Sequence, residues 1–225
     1  MRVLAIDTAL ANCAAAVLDD GAEKPCLTET SAEIGRGHAE RLMIMIGDVM
    51  AESSTAFTDL DRVVVTTGPG SFTGMRVGLS VARGFGLVLS KPVVGVTTLA
   101  AIARSVPSEK RGAPVLVALD GKGDEVYCQE FGPDFDPMSE PCVRTIQDLA
   151  ETIDPSVRLI GSASRRIAEA AGRAEEDILS EIAYPHISDV ARLGLVTDPK
   201  MAAAVPLYLR PPDATPQKKG RIERQ

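Results

Sequence analysis

The sequence predicts an α/β protein made of two similar lobes, on three observations. Short apolar strand-like runs alternate with longer segments of helical period along most of the chain. An apolar run that ends in aspartate, then a turn and a second apolar run, occurs twice: Val3-Leu4-Ala5-Ile6-Asp7 and Val115-Leu116-Val117-Ala118-Leu119-Asp120. A polar, proline-containing stretch at residues 107–112 divides the two. Two hairpins, each followed by alternating helices and strands, are what a duplication produces. The competing explanation is coincidence, since strand–Asp–turn is a common local pattern. The expected division is a lobe at 1–106, a lobe at 107–210 and a mobile tail at 211–225 with three prolines.

Taken in order, strands are expected at 2–7 and 12–18, with a weaker one at 26–30. A helix follows at 38–52, a strand at 62–66 and a helix at 72–89. A short strand at 93–97 comes directly after Pro92, and 98–105 has helical character. Beyond the linker, 114–120 and 125–131 form a second strand pair around Gly121-Lys122-Gly123. Helices are expected at 145–152, 163–171 and 188–196, with a short strand at 157–160.

The most informative stretch is Gly68-Pro69-Gly70-Ser71-Phe72-Thr73-Gly74-Met75-Arg76-Val77-Gly78, a glycine-rich loop between a strand and a helix. Such loops can present free N–H groups and a positive dipole end to phosphate. A P-loop needs Lys and Ser/Thr after its last glycine, and here Met75 and Arg76 follow Gly74. The dinucleotide spacing fails too, because Gly74 comes one residue late. Asp7, Gly68 and Gly70 are therefore only weak nucleotide-binding candidates. The plainer reading is a tight turn with Ser71 or Thr73 capping the helix.

Gly74, Gly78, Ala82 and Gly86 recur every four residues and share one helix face. Glycines inside a helix each cost about 0.8–1 kcal/mol relative to alanine. Close approach of another backbone offsets that, either within this chain's core or from a partner helix. The segment 38–52 is apolar beyond the needs of one buried stripe. Leu42, Met45, Ile46 and Val49 supply a stripe, and Met43, Ile44 and Met50 widen it. One stripe is expected to serve the lobe's own core and the excess to meet another protein, a use to which methionine is suited. The expected interface is drawn from Leu42, Met43, Met45, Ile46, Val49, Met50, Gly74, Gly78, Ala82 and Gly86.

A net charge of −7 argues against a basic nucleic-acid binder acting alone. Met1-Arg2 leads straight into a strand-like run without a targeting pattern, and the longest apolar stretch, near 77–89, is broken by Arg83 and is short for a membrane span. The four cysteines lack CxxC spacing, so reduced thiols in a cytoplasmic setting are expected. His38 and His186 are the two histidines, which leaves little for a His-based metal site or a Ser-His-Asp triad. His38 could act as an acid–base group, but with no partner identifiable, capping or packing at the helix start is favoured.

Together these motifs resemble the TsaB family, formerly YeaZ. The loop 68–78 carries the resemblance, with Ile6-Asp7-Thr8, His38-Ala39-Glu40, Glu125-Val126-Tyr127 and Pro206-Leu207-Tyr208-Leu209-Arg210 in support. Gly121-Lys122-Gly123 departs from the Ala-Arg that family members often carry there. The resemblance implies the duplicated actin-like, ribonuclease-H-like fold. It implies a cytoplasmic, non-catalytic subunit that supports TsaD, with the ATPase TsaE, in forming N6-threonylcarbamoyladenosine in tRNA reading codons that begin with A. ATP and metal then belong to the partner subunits, tRNA is met indirectly, and a homodimer forms when TsaD is absent. TsaD holds its metal on two histidines four residues apart; Thr98 and Ile102 occupy the similar positions in Gly95-Val96-Thr97-Thr98-Leu99-Ala100-Ala101-Ile102. The competing readings are an actin-like ATPase or small-molecule kinase using Asp7 and the loop, and direct tRNA binding through Lys218, Lys219, Arg221 and Arg224.

Overall fold

A computed structural model of the chain describes residues 1–21 and 25–210. The expected tail and its basic cluster lie outside the described residues. The first half forms a five-stranded sheet in the order β3-β2-β1-β4-β5, from β1 (Arg2–Asp7), β2 (Asn12–Asp19), β3 (Cys26–Glu33), β4 (Arg62–Thr66) and β5 (Val93–Val96). β2 runs antiparallel to β1 and β3 to β2, whereas β4 and β5 are parallel to β1. The second half repeats this arrangement with β6 (Val115–Asp120), β7 (Glu125–Phe131), β8 (Cys142–Thr145), β9 (Arg158–Ile160) and β10 (Ile178–Ser180), in the order β10-β9-β6-β7-β8. Aligned on their central strands, the two orders coincide. The repeated Asp-ended hairpins are β1–β2 and β6–β7.

The helices repeat as well. α1 (His38–Glu52), α2 (Phe72–Leu89) and α3 (Thr98–Arg104) belong to the first half; α4 (Ile146–Thr152), α5 (Ser164–Ala170) and α6 (Ile187–Val196) belong to the second. α1 and α2 cover the outer face of the first sheet, joining Leu4, Ile6, Cys13, Ala15 and Val17. α4 and α5 cover the outer face of the second, with Leu116, Ala118, Val126 and Cys128. The third helices exchange sheets. Leu99, Ile102 and Ala103 of α3 pack on Val115, Val117 and Leu119 of β6. Ile187, Val190 and Ala191 of α6 return to Val3, Ala5, Ala14 and Ala16 of the first sheet.

This exchange explains the composition of β1 and β2. Their residues are buried on both faces, so they read as continuous apolar runs rather than alternating ones. The three alanines of β2 keep both neighbouring helix layers close. At Gly194 of α6 the approach is so tight that a β-carbon would collide with Val64. Arg62 ties down the end of α6, donating from one nitrogen to the carbonyls of Gly194 (2.8 Å), Leu195 (3.3 Å) and Thr197 (2.8 Å). The linker at 107–112 thus separates the strands of the two sheets but not their covering helices.

Two elements were missing from the expectation. β8 and β10 are short edge strands of half-buried residues with weak alternation, so they carry little sequence signal. Their pairing to β7 and β9 makes them strands.

Candidate functional site: the first hairpin, the glycine loop and the outer helix face

β1 delivers Asp7 fully buried at the mouth of the first hairpin. Its Oδ1 accepts hydrogen bonds from the Ala9 amide (3.0 Å) and the Thr66 hydroxyl (2.6 Å), which shapes the turn and ties β1 to β4. Its Oδ2 has no hydrogen-bond partner among the described residues. Burial pushes the carboxyl above its ordinary range, opposed by those two bonds and by the charge of His38. His38, the first residue of α1, places Nε2 3.0 Å from the Leu10 carbonyl and 3.2 Å from the Asn12 carbonyl. It pins the helix start beneath the hairpin, the packing role favoured from sequence.

The glycine loop lands on this hairpin. Gly68 has a φ of +102°, a region that suits glycine, and its carbonyl accepts the Thr98 amide at 2.8 Å. The Ser71 amide donates to the Ala9 carbonyl (2.6 Å), and the Ser71 hydroxyl caps α2 by accepting the Gly74 amide (3.2 Å). Gly70 backs onto the Ala9 carbonyl and Gly74 onto the Thr8 carbonyl, so closely that a β-carbon at either position would collide with the oxygen. The Thr8 hydroxyl donates to the Gly74 carbonyl (2.7 Å) and accepts from the Gly78 amide (3.1 Å).

The close approach that glycine permits is therefore occupied by the chain's own hairpin. What faces Gly70 and Gly74 is carbonyl oxygen, which repels phosphate, whereas a cradle needs converging N–H groups. On the side of the hairpin the loop leaves no room for a phosphate. A TsaD-type metal fits no better. Thr98 and Ile102 are both fully buried, and Ile102 lies in the apolar core between α3 and β6. A hydroxyl and a hydrocarbon do not replace two imidazoles. Among the described residues, no group of three or more His, Cys, Asp or Glu side chains converges.

The expected docking residues need correction. Leu42, Met45, Ile46, Val49 and Met50 all point into the first lobe's own core, together with Leu4, Ile6 and Leu60. Only Met43 and Ile44 of that set face outward, at 49% and 53% exposure. The small-residue face of α2 is also internal. Gly74 and Gly78 accommodate Thr8, Ala82 is fully buried, and Gly86 makes room for Val93. The sheet imposes this spacing, because it is α2's close approach to β1, β4 and β5 that leaves no space for side chains.

Two other glycines were overlooked. Gly47 of α1 and Gly84 of α2 are exposed, and a β-carbon at either would meet nothing within 4 Å. Among the described residues, neither has a packing reason for its helix-weakening residue. Gly84 lies near Leu87 and Val88, exposed at 83% and 80%, and Gly47 near Met43 and Ile44. A shallow groove of about 480 Å³ runs along the start of α2, lined by Ala39, Phe72, Thr73, Val77 and Val81 among others.

The C-terminal motif completes this face. The Gly95 amide donates to the Ala202 carbonyl (2.9 Å) and the Leu207 amide to the Thr67 carbonyl (2.8 Å), so the segment covers the edge of β5. Arg83 grips the Ala204 carbonyl through Nε (3.0 Å) and Nη2 (2.6 Å). Arg76 donates from Nε to the Tyr208 hydroxyl (2.9 Å), with its guanidinium 3.7 Å above the Phe72 ring. No helix among the described residues is long and apolar enough to cross a membrane.

Comparison with known proteins gives this arrangement a family. Residues 30–202 match the family model described as TsaD, tRNA N6-adenosine threonylcarbamoyltransferase. The chain is 36% identical over 134 residues to the tRNA threonylcarbamoyladenosine biosynthesis protein TsaB of Escherichia coli (strain K12), a match covering 60% of this chain and 56% of that protein. An uncharacterized protein of Mycobacterium tuberculosis (strain ATCC 25618 / H37Rv) is 34% identical over 218 residues, covering 95% of this chain and 94% of its own. The solved structure of YeaZ from Pseudomonas aeruginosa superposes with a TM-score of 0.76 at 25% identity, covering 92% of this chain and 99% of that one. With its twice-repeated sheet, the glycine loop locked on the first hairpin and matches along nearly its whole length, the chain belongs to the TsaB/YeaZ family and has the duplicated actin-like fold.

Proposed function

We propose that this chain is the non-catalytic partner of a TsaD-type threonylcarbamoyltransferase. It holds that enzyme in a working form, with TsaE, while N6-threonylcarbamoyladenosine is formed in tRNA reading codons that begin with A. The observation that carries the reading is a contrast between two regions. The positions similar to the TsaD metal ligands are filled by a buried hydroxyl and a buried hydrocarbon, while the outer sides of α1 and α2 remain apolar and open. Met43, Ile44, Leu87 and Val88 give that face apolar area, and Gly47 and Gly84 let an incoming helix approach closely. The occupant is a chain of the same domain family, as the match to the TsaD family model supports. Two helices from each protein then form a four-helix contact. A second copy of this chain takes the same face when TsaD is absent. ATP and metal are held by the partner subunits, and tRNA is reached through them.

Reconstitution tests the reading. Purified TsaD and TsaE, with a threonylcarbamoyl-adenylate source and tRNA, should modify adenosine when this chain is added and fail without it. Modification at an undiminished rate in its absence would refute the role. The second reading is an actin-like ATPase or small-molecule kinase. Asp7, with a buried oxygen that has no partner among the described residues, is the observation in its favour. Calorimetry with ATP and magnesium on the isolated chain separates the two: heat of binding supports the enzyme, and a flat titration supports the partner.

A further inference from the structure

β7 and β8 place Cys128 directly opposite Cys142 in antiparallel register. Their sulfurs are 3.6 Å apart and both thiols are free. Directly opposed antiparallel residues have α-carbons about 4.5–5.5 Å apart. That lies within the roughly 4.4–6.8 Å that a disulfide spans, so rotation of side chains suffices to bring the sulfurs from contact to bond. The two sites differ in access. Cys128 is buried in the outer core with Leu116, Leu149 and Leu159, whereas Cys142 is half-exposed on the edge strand. Arg144, two residues along β8, adds a positive charge that acts on both sulfurs.

We propose that Cys128 and Cys142 form a reversible dithiol–disulfide pair, oxidised by low-molecular-weight disulfides such as oxidised glutathione. Cys142 reacts first because it is reachable: its thiolate attacks one glutathione sulfur, forms a mixed disulfide and releases one glutathione thiolate. The Cys128 sulfur then attacks the Cys142 sulfur and expels the second glutathione. The pair loses two electrons and two protons, and oxidised glutathione becomes two reduced molecules. Burial, with the neighbouring sulfur as a smaller cause, holds the Cys128 thiol up at about 12. That keeps Cys128 from reacting first and slows its attack, so it enters only in the second, intramolecular step, which the 3.6 Å sulfur separation makes possible. The cross-link closes a loop over residues 129–141, the end of β7 and its connection to β8.

The test uses the full chain carrying Cys26→Ser, which removes the exposed thiol and leaves three. The protein is equilibrated in glutathione buffers of increasing oxidation, trapped with iodoacetamide and weighed intact. The expected result is loss of two of the three thiols, a mass lower by about 2 Da before alkylation, and a peptide linked through 128 and 142 that dithiothreitol releases. Adding Cys128→Ser should stop the reaction with one glutathione on Cys142. Three alkylatable thiols under strongly oxidising buffer, or a link through Cys13, would overturn the proposal. If the Cys128→Ser variant fails to fold, peptide mapping of the Cys26→Ser protein decides alone.

Discussion

Replacing Gly78 by alanine sets two local effects against each other. Removing a glycine from the interior of α2 favours the helix by about 0.8–1 kcal/mol. The new β-carbon, however, would lie 2.5 Å from Thr8 Oγ1 and 3.4 Å from Val65 Cγ2. Thr8 is buried, and its hydroxyl is held by the Gly74 carbonyl and the Gly78 amide. Turning that hydroxyl away leaves a buried donor unpaired, at about 1–3 kcal/mol. Shifting the helix instead overpacks the interface with β1 and β4, at about 1–3 kcal/mol. By either route the cost less the helix gain is a net loss of up to about 2 kcal/mol. Urea denaturation at neutral pH reads it as a lower midpoint with an unchanged slope. Gly84→Ala is the control: with open space around it, the variant should gain up to about 1 kcal/mol. Thr8→Ala removes the atom in the way, so the pair Thr8→Ala and Gly78→Ala should couple by more than about 0.5 kcal/mol. A stabilised Gly78→Ala, or an additive cycle, would refute the claim that this glycine exists for the hairpin.

The docking face can be probed with Met43→Glu and Gly84→Gln: both positions are exposed, so the fold should persist while homodimerisation and TsaD pull-down weaken about tenfold or more. Ile46→Glu should instead unfold the lobe, because that side chain is fully buried; a folded Ile46→Glu protein that only loses its partner would reverse this assignment. Asp7→Asn keeps the Oδ1 acceptor and removes the titration. Since burial raises the folded carboxyl above its unfolded value, its contribution to stability is complete at low pH and is lost as pH rises from about 4 through the raised value. Thermal midpoints across pH should therefore fall more steeply in the wild type than in Asp7→Asn, and parallel curves would contradict the shift. Arg62→Ala frees the carbonyls at the end of α6 and should cost about 1–3 kcal/mol, with faster amide exchange in α6; unchanged exchange there would show the clamp to be idle.

Much of the fold was legible because its signals are local. Asp7 and Asp120 close two apolar strands, and both hairpins followed. Ser71 was readable as a cap, and the structure has it accept the Gly74 amide. The exchange of α3 and α6 was not legible, because periodicity tells which face of a helix is buried but not which sheet buries it. The same blindness misdirected the site. Periodicity groups Leu42, Met45, Ile46 and Val49 into one stripe and leaves Met50 among the excess, but it cannot tell that all five are consumed by the lobe's own core. The spacing of Gly74, Gly78 and Gly86 signalled close approach correctly, but it could not distinguish the chain's own sheet from a visiting helix. Gly47 and Gly84 lie outside that four-residue rhythm and drew no notice. A signal did exist: each is a glycine inside a helix, on a side with no neighbour.

The exchange of third helices has a consequence during synthesis. The inner face of the first sheet needs Ile187, Val190 and Ala191, which are translated long after Val96. At roughly 5–20 residues per second, that wait is on the order of ten seconds. Throughout it, a nearly finished sheet of valine and alanine stands bare on one side, and the ribosome-bound chain is most prone to self-association then. A gene cut at the linker would make that exposure permanent in both products, so the repeated halves, although alike, are not separable modules.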